Sequence, residues 1–258
     1  MTSQPAGLLE RQVDGVLFDV DDTLVDTRYA FSRAISAVAD VWLPGLPAER
    51  HADVLARWRD DPNGHFRSYT RGEVDFETQR RRRADDVQAT FGGEPFEDAS
   101  YAEWVELFWG TFTASFVPHA DARATIDELR AAGVRIGALT NAAQALQDAK
   151  LAQTGLGDVP VLVGVDTLGF GKPDPRAFAE ACRRLGTEPA RTAYVGDELE
   201  VDSMGAAAAG LVGVWLDRPE TRRGGAWSED EEVARDAGVH VIRSLGELAG
   251  VLGVQRIR

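Results

Sequence analysis

Val16-Leu17-Phe18-Asp19-Val20-Asp21-Asp22-Thr23-Leu24-Val25-Asp26-Thr27 is the stretch that decides how this chain is read. An apolar run passes straight into carboxylates. Asp19, Asp21, Asp22 and Asp26 fall within eight residues, where a buried strand would end. At about 4 Å and an effective dielectric near 20, each close pair repels by roughly 4 kcal/mol. Crowding like charges there has no structural benefit, so a positive group is expected beside them. The simplest is a divalent metal held by oxygen ligands.

On either side of this stretch the chain changes texture. Val13 to Val20 reads as a buried strand. Residues 28–117 then look helical throughout, with helices expected at Tyr29 to Val41, His51 to Arg59, Phe76 to Phe91 and Tyr101 to Phe112. Breaks fall at Pro44-Gly45, Pro62-Asn63-Gly64 and Gly92-Gly93. From Ala120 helices and strands alternate. Strands are expected at Val134 to Leu139, Val161 to Val165, Thr192 to Val195, Val212 to Leu216 and His240 to Ile242. Helices are expected at 121–132, 143–154, 175–185, 201–209 and from Leu245. Such alternation implies an α/β fold, a parallel sheet covered on both faces, with the helical block inserted after the first strand. The polar, acidic stretch 217–238 reads as a surface excursion.

Three strands end in reactive groups: Asp19 and Asp21 after the first, Thr140-Asn141 after the second, Gly196-Asp197-Glu198 after the fourth, with Asp202 soon after. Ligands of open α/β sheets sit at the carboxyl ends of strands. Thr140 or Asn141 alone also reads as a helix N-cap. Asp19 and Asp21 do not, because one cap needs only one carboxylate.

Bulk composition removes several function classes. The net charge of −14 argues against a nucleic-acid or anionic-membrane binder, either of which needs a basic face. The one cysteine, Cys182, permits no intrachain disulfide, which makes a reducing cytoplasm the expected compartment. Met1 to Glu10 has neither the basic start nor the apolar core of a secretory signal, and no stretch approaches the ~20 apolar residues of a membrane span. The cations are 26 arginines and only two lysines, Lys150 and Lys172, so a lysine in Gly171-Lys172-Pro173-Asp174-Pro175 points to a place where a compact ammonium is wanted.

On these residues the chain resembles the haloacid dehalogenase-like (HAD) hydrolase superfamily, in its subgroup with a helical cap between the first two core strands. The family's Asp-x-Asp-x-Thr motif matches Asp19-Val20-Asp21-Asp22-Thr23. Its strand-end hydroxyl matches Thr140, its lysine before a helix matches Lys172, and its Gly-Asp with a further Asp matches Gly196-Asp197 and Asp202. The four occur in order and span roughly residues 13–252. The resemblance implies a Rossmann-like catalytic core of residues 11–27 and 118–258, with a helical cap domain at 28–117.

It also implies roles. Asp19 is the expected nucleophile, forming an aspartyl-phosphate. Asp21 is the expected acid and base, with a pKa raised by a neighbouring anion. Magnesium is expected on Asp19, the carbonyl of Asp21 and Asp197, with Asp202 assisting. Thr140, Asn141 and Lys172 are expected to bind the substrate phosphate. With Asp21 neutral, the carboxylates and a phosphate dianion sum to about −5. Magnesium and Lys172 return about +3, and helix N-termini can share the remainder.

Other features are expected to be structural. Asp22 should contribute backbone with its side chain outward, Asp26 should cap or hinge, and Glu198 should face solvent or join the metal. Arg80 to Arg83 should form a solvated helix face, while Arg67 and Arg71 are candidate substrate contacts. Trp104, Phe108, Trp109 and Phe112 should be core, and the four histidines, lacking ligand spacing, should act locally.

Several rivals fail on residues. Pro173 stands where a P-loop needs Ser or Thr, and no Gly-x-Ser-x-Gly is present. Dehalogenating relatives generally lack the second aspartate, phosphonate-cleaving ones need a cap lysine, and mutases often carry a histidine where this chain has Phe31. The reading is a magnesium-dependent phosphomonoester hydrolase acting on a small phosphorylated metabolite. A sugar-phosphate mutase and a catalytically idle phosphate-binding protein are its alternatives.

Overall fold

The computed structural model describes residues 13–218, 222 and 229–254. The N-terminal tail lies outside them, as do 219–221 and 223–228 of the expected acidic excursion. Among the described residues no helix is long and apolar enough to cross a membrane.

β1 (Gly15–Phe18) is buried along its whole length. Val16 and Phe18 enter one apolar cluster and Leu17 another, so both faces of the strand are covered. That burial is why β1 reads as a continuous apolar run. The other strands are β2 (Arg135–Leu139), β3 (Val161–Val163), β4 (Thr192–Gly196), β5 (Val212–Leu216) and β6 (His240–Ile242). All pair in parallel, in the order β3-β2-β1-β4-β5-β6. The chain runs outward from β1 through β2 and β3, then crosses to β4 on β1's other side. The strand order therefore reverses at β1 and β4, where a doubly wound sheet opens a crevice. In register, Phe18 pairs with Ala138 on one side and Val195 on the other. The segments that follow these three strands, beginning at Asp19, Thr140 and Asp197, leave the sheet at that same end.

The helical insertion that follows β1 holds five α-helices: α1 (Thr27–Trp42), α2 (His51–Asp60), α3 (His65–Thr70), α4 (Phe76–Phe91) and α5 (Asp98–Ala114). Asp26 caps α1 by accepting from Tyr29 N at 2.8 Å. The two ends of the insertion are tied together: Asp26 N donates to Val117 O and His119 N to Leu24 O, both at 2.9 Å. On α5, Tyr101, Trp104, Phe108 and Phe112 stack in succession with ring centroids 6.0, 4.7 and 6.0 Å apart. Trp104, Phe108 and Phe112 are buried as expected of a core, whereas Trp109 is only partly so.

The solvated face expected of Arg80 to Arg83 is corrected. Only Arg82 is exposed. Arg80 lies over the rings of Phe76 and Trp109, Arg81 over Tyr101 and Arg83 over Trp58. Guanidinium planes pack on the aromatic core, which a charge run alone does not disclose.

After the insertion come α6 (Ala122–Ala131), α7 (Gln144–Gln153), α8 (Val165–Leu168), α9 (Pro175–Leu185), α10 (Gly205–Ala208), α11 (Glu231–Asp236) and α12 (Leu248–Val251). α9 begins with Asp174 as N-cap and Pro175 in its first turn. The helix expected at 201–209 differs: Leu199–Met204 is wound as a π-helix before α10.

Candidate active site

Asp19 directly follows β1, and its N–H donates to Val195 O at 2.8 Å, fixing it between β1 and β4. Its carboxylate meets the buried Lys172, whose Nζ donates to Asp19 Oδ1 at 2.8 Å, Asp202 Oδ1 at 2.7 Å and the Tyr194 hydroxyl at 2.7 Å. That hydroxyl donates onward to Leu139 O at 2.8 Å, tying the ammonium to β2 and β4. Gly171 and Gly196 are required by close approach. A Cβ on Gly171 would overlap the Asn141 amide, and one on Gly196 would overlap the Asp202 carboxylate. The π-helical turns bring Asp202 back over β4, where its Oδ2 accepts from Glu198 N at 3.0 Å.

Carboxylate oxygens of Asp19, Asp197 and Asp202 lie within 4.8 Å of one another. Burial pushes the Asp19 carboxyl up to about 8, with the charges of Asp202 and Asp21 adding to the rise and Lys172 opposing it. Asp197 is raised well above the carboxylate range by burial and by Asp22, Glu198, Asp202 and Asp19. Burial works against the Lys172 ammonium, but Asp19 and Asp202 outweigh it and raise its pKa. One lysine therefore does not neutralise the cluster. An all-oxygen set with excess negative charge fits magnesium.

Asp21 departs from expectation. Its Oδ1 accepts from Thr27 Oγ1 at 2.6 Å and is paired with Lys150 Nζ, and its Oδ2 accepts from Gln147 Nε2 at 2.6 Å. Burial would raise its pKa, but the Lys150 charge and these hydrogen bonds outweigh burial and leave it below the usual carboxylate value. The expected upward shift is thus reversed by a cation from α7. Gln147 Nε2 also donates to Thr140 Oγ1 at 3.2 Å. Neither Thr140 nor Asn141 caps α7, whose N-cap is Ala143. Asn141 instead holds the main chain of Lys172 through two hydrogen bonds.

The outward Asp22 side chain is also corrected. Asp22 has a left-handed φ of 57° and is buried, accepting from Arg28 N at 2.6 Å and pairing with Arg59 of α2 at 2.9 Å. Asp26 serves as the cap expected of it.

Asp19, Asp21, Thr140, Asn141 and Lys172 line one cavity of about 540 Å³. Arg67 and Arg71 face it from the insertion and Glu198 stands at its wall, while Asp197 and Asp202 are not among its lining residues. Lys150, Gln147 and Thr27 are the site residues the sequence reading missed. The lysine scarcity that singles out Lys172 applies equally to Lys150.

Residues 13–210 match the model of the haloacid dehalogenase-like hydrolase family. The chain belongs to that family. This HAD hydrolase is 30% identical over 208 residues to the glyceraldehyde 3-phosphate phosphatase of Methanopyrus kandleri, covering 80% of this chain and 84% of that one. It is 37% identical over 128 residues to the phosphoserine phosphatase of Thermus thermophilus, covering 49% of each. In fold it is similar to the HAD hydrolase YfnB of Bacillus subtilis, solved with magnesium, with a TM-score of 0.72 at 22% identity over 94% of this chain and all of the other.

Proposed function

We propose that this HAD hydrolase is a magnesium-dependent phosphomonoester phosphatase acting on a small phosphorylated metabolite, with its helical insertion as the cap. The observation that carries the reading is the meeting of Asp19, Asp21, Thr140 and Lys172 in one cavity at the ends of adjacent strands. The phosphatase relatives, named for small phosphate esters, support it.

Asp19 attacks phosphorus and the bond to the leaving oxygen breaks, giving an aspartyl-phosphate. Asp21 delivers a proton to that oxygen, then takes one from the water that attacks the intermediate. An arriving phosphate dianion adds negative charge beside Asp21 and so raises its proton affinity. Thr140 Oγ1, the main-chain N–H of Asn141 and the Lys172 ammonium hold the phosphate oxygens. Asp19, the carbonyl of Asp21 and Asp197, backed by Asp202, would hold magnesium, which when bound supplies positive charge opposite the phosphate oxygens. The insertion closes over the cavity and excludes bulk water, with Arg67 and Arg71 facing the leaving group. A halide departs without a proton, so Asp21 favours an ester over a halocarbon.

The test is phosphate release, with magnesium, from para-nitrophenyl phosphate and from a panel of sugar phosphates, nucleotides, phosphoglycolate and short-chain acid phosphates. Asp19→Asn should abolish release while preserving the circular dichroism spectrum, and surviving activity would sink the mechanism. An isomerised sugar phosphate would favour the mutase. Silence across the panel would favour the idle phosphate-binding protein.

A further inference from the structure

The two lysines of this chain each pair with one of the paired aspartates: Lys172 with Asp19, and Lys150 with Asp21. Lys150 and Gln147 lie three residues apart on α7, so they share one helix face. Both are almost wholly buried, at 1% and 0% exposure. Between them they engage both oxygens of the Asp21 carboxylate, and Thr27 adds a third donor. The Lys150 ammonium lies 4.9 Å from the Phe116 ring and 5.6 Å from that of Phe112, which shield it from water. Asp21 keeps about a third of its side chain exposed (34%) and lines the cavity.

We propose that Lys150, acting with Gln147, is a positioning residue for Asp21, aiming its carboxylate at the leaving-group oxygen of the substrate. The inference rests on the phosphatase reading and deepens it. A purely structural account fits less well. Burying an ammonium is costly, and an apolar side chain of similar volume stabilises a core at least as well. What the ammonium adds, beyond the neutral donors of Thr27 and Gln147, is a charged anchor that fixes the direction of a carboxylate one-third exposed to the cleft. Gln147 extends the arrangement by bonding Thr140 as well, so one helix face sets the proton donor and the phosphate-binding hydroxyl relative to each other. Displacing such a donor by even 1 Å is enough to cost about 10²-fold in rate.

Leaving-group dependence separates positioning from a structural role. Phenyl phosphate and para-nitrophenyl phosphate are close in shape, but phenolate needs a proton to leave and nitrophenolate does not. The ratio kcat/KM reports the steps through departure of the leaving group. In Lys150→Met it should fall at least ~30-fold for phenyl phosphate and no more than ~3-fold for para-nitrophenyl phosphate. Thr27→Val, which removes a donor to Asp21 alone among the catalytic side chains, should show the same bias with a smaller loss, and it carries the test if Lys150→Met does not fold. Equal losses on both esters, or none on either, would overturn the positioning role while leaving the phosphatase reading intact. A wild-type protein that turns over neither ester would overturn both.

Discussion

Asn141 and Lys172 hold each other through two hydrogen bonds: Lys172 N donates to Asn141 Oδ1 at 2.7 Å, and Asn141 Nδ2 donates to Lys172 O at 2.9 Å. The amide at the end of β2 therefore fixes the loop that delivers the ammonium to Asp19. Asn141→Ala removes both bonds without touching the phosphate-binding hydroxyl. The expected result is a fall in kcat/KM of about 10- to 100-fold with little change in thermal midpoint, the scale associated with a misplaced catalytic group. Steady-state kinetics and a melting curve check it together, and unchanged kinetics would show that the loop holds itself.

The burial of Asp19 gives a pH prediction for the metal-free protein. Its folded carboxyl is pushed up to about 8, against about 4 for an unfolded aspartate. Between those values the folded state carries a proton that the unfolded state has lost. This group's contribution to stability is therefore present at low pH and declines as pH rises through the folded value. Asp197 is shifted in the same direction. Melting temperatures measured in chelator should show this decline, and the wild type minus Asp19→Asn difference isolates it. Because ligands must be deprotonated, magnesium affinity should rise across the same window with release of protons, readable by calorimetry in buffers of different ionisation enthalpy. A pH-independent difference would contradict the shift.

Gly196 offers a steric test. Its missing Cβ makes room for the Asp202 carboxylate that pairs with Lys172. Gly196→Ala should push Asp202 off that position and lower turnover by at least ~100-fold. Its crystal structure should show the Lys172 to Asp202 bond broken.

What the sequence discloses and what it hides follow from the range of the interactions involved. Asp19, Thr140 and Asp197 were legible because a buried strand ending in a polar group is a local pattern. The helices α1, α2, α4 and α5 were legible from their spacing and breaks. The six-residue α3 has no buried residue to leave a periodic trace. The π-helical turns at Leu199–Met204 depend on a hydrogen-bond register that composition does not encode. Lys150 acts on Asp21 across 129 positions, so only its rarity among the cations could have marked it. Asp22 was read outward because its partner Arg59 lies in a different helix.

That Asp22–Arg59 pair supplies a stability prediction. The two side chains meet at 2.9 Å with each only 8% exposed, joining α2 to the loop that follows the nucleophile. A buried ion pair adds little over a well-packed apolar substitute, yet breaking it from one side strands the other charge. Arg59→Met strips Asp22 of its charged partner while leaving the hydrogen bond from Arg28 N, and should cost about 3–5 kcal/mol in denaturant unfolding. Removing both charges relieves that penalty. Asn tolerates the left-handed backbone that Asp22 adopts, so the double variant Arg59→Met with Asp22→Asn should recover most of the loss. Such non-additivity is the signature of a direct pair. If the double variant is as unstable as the sum of its singles, the packing of α2 and not the charge pair holds this joint together.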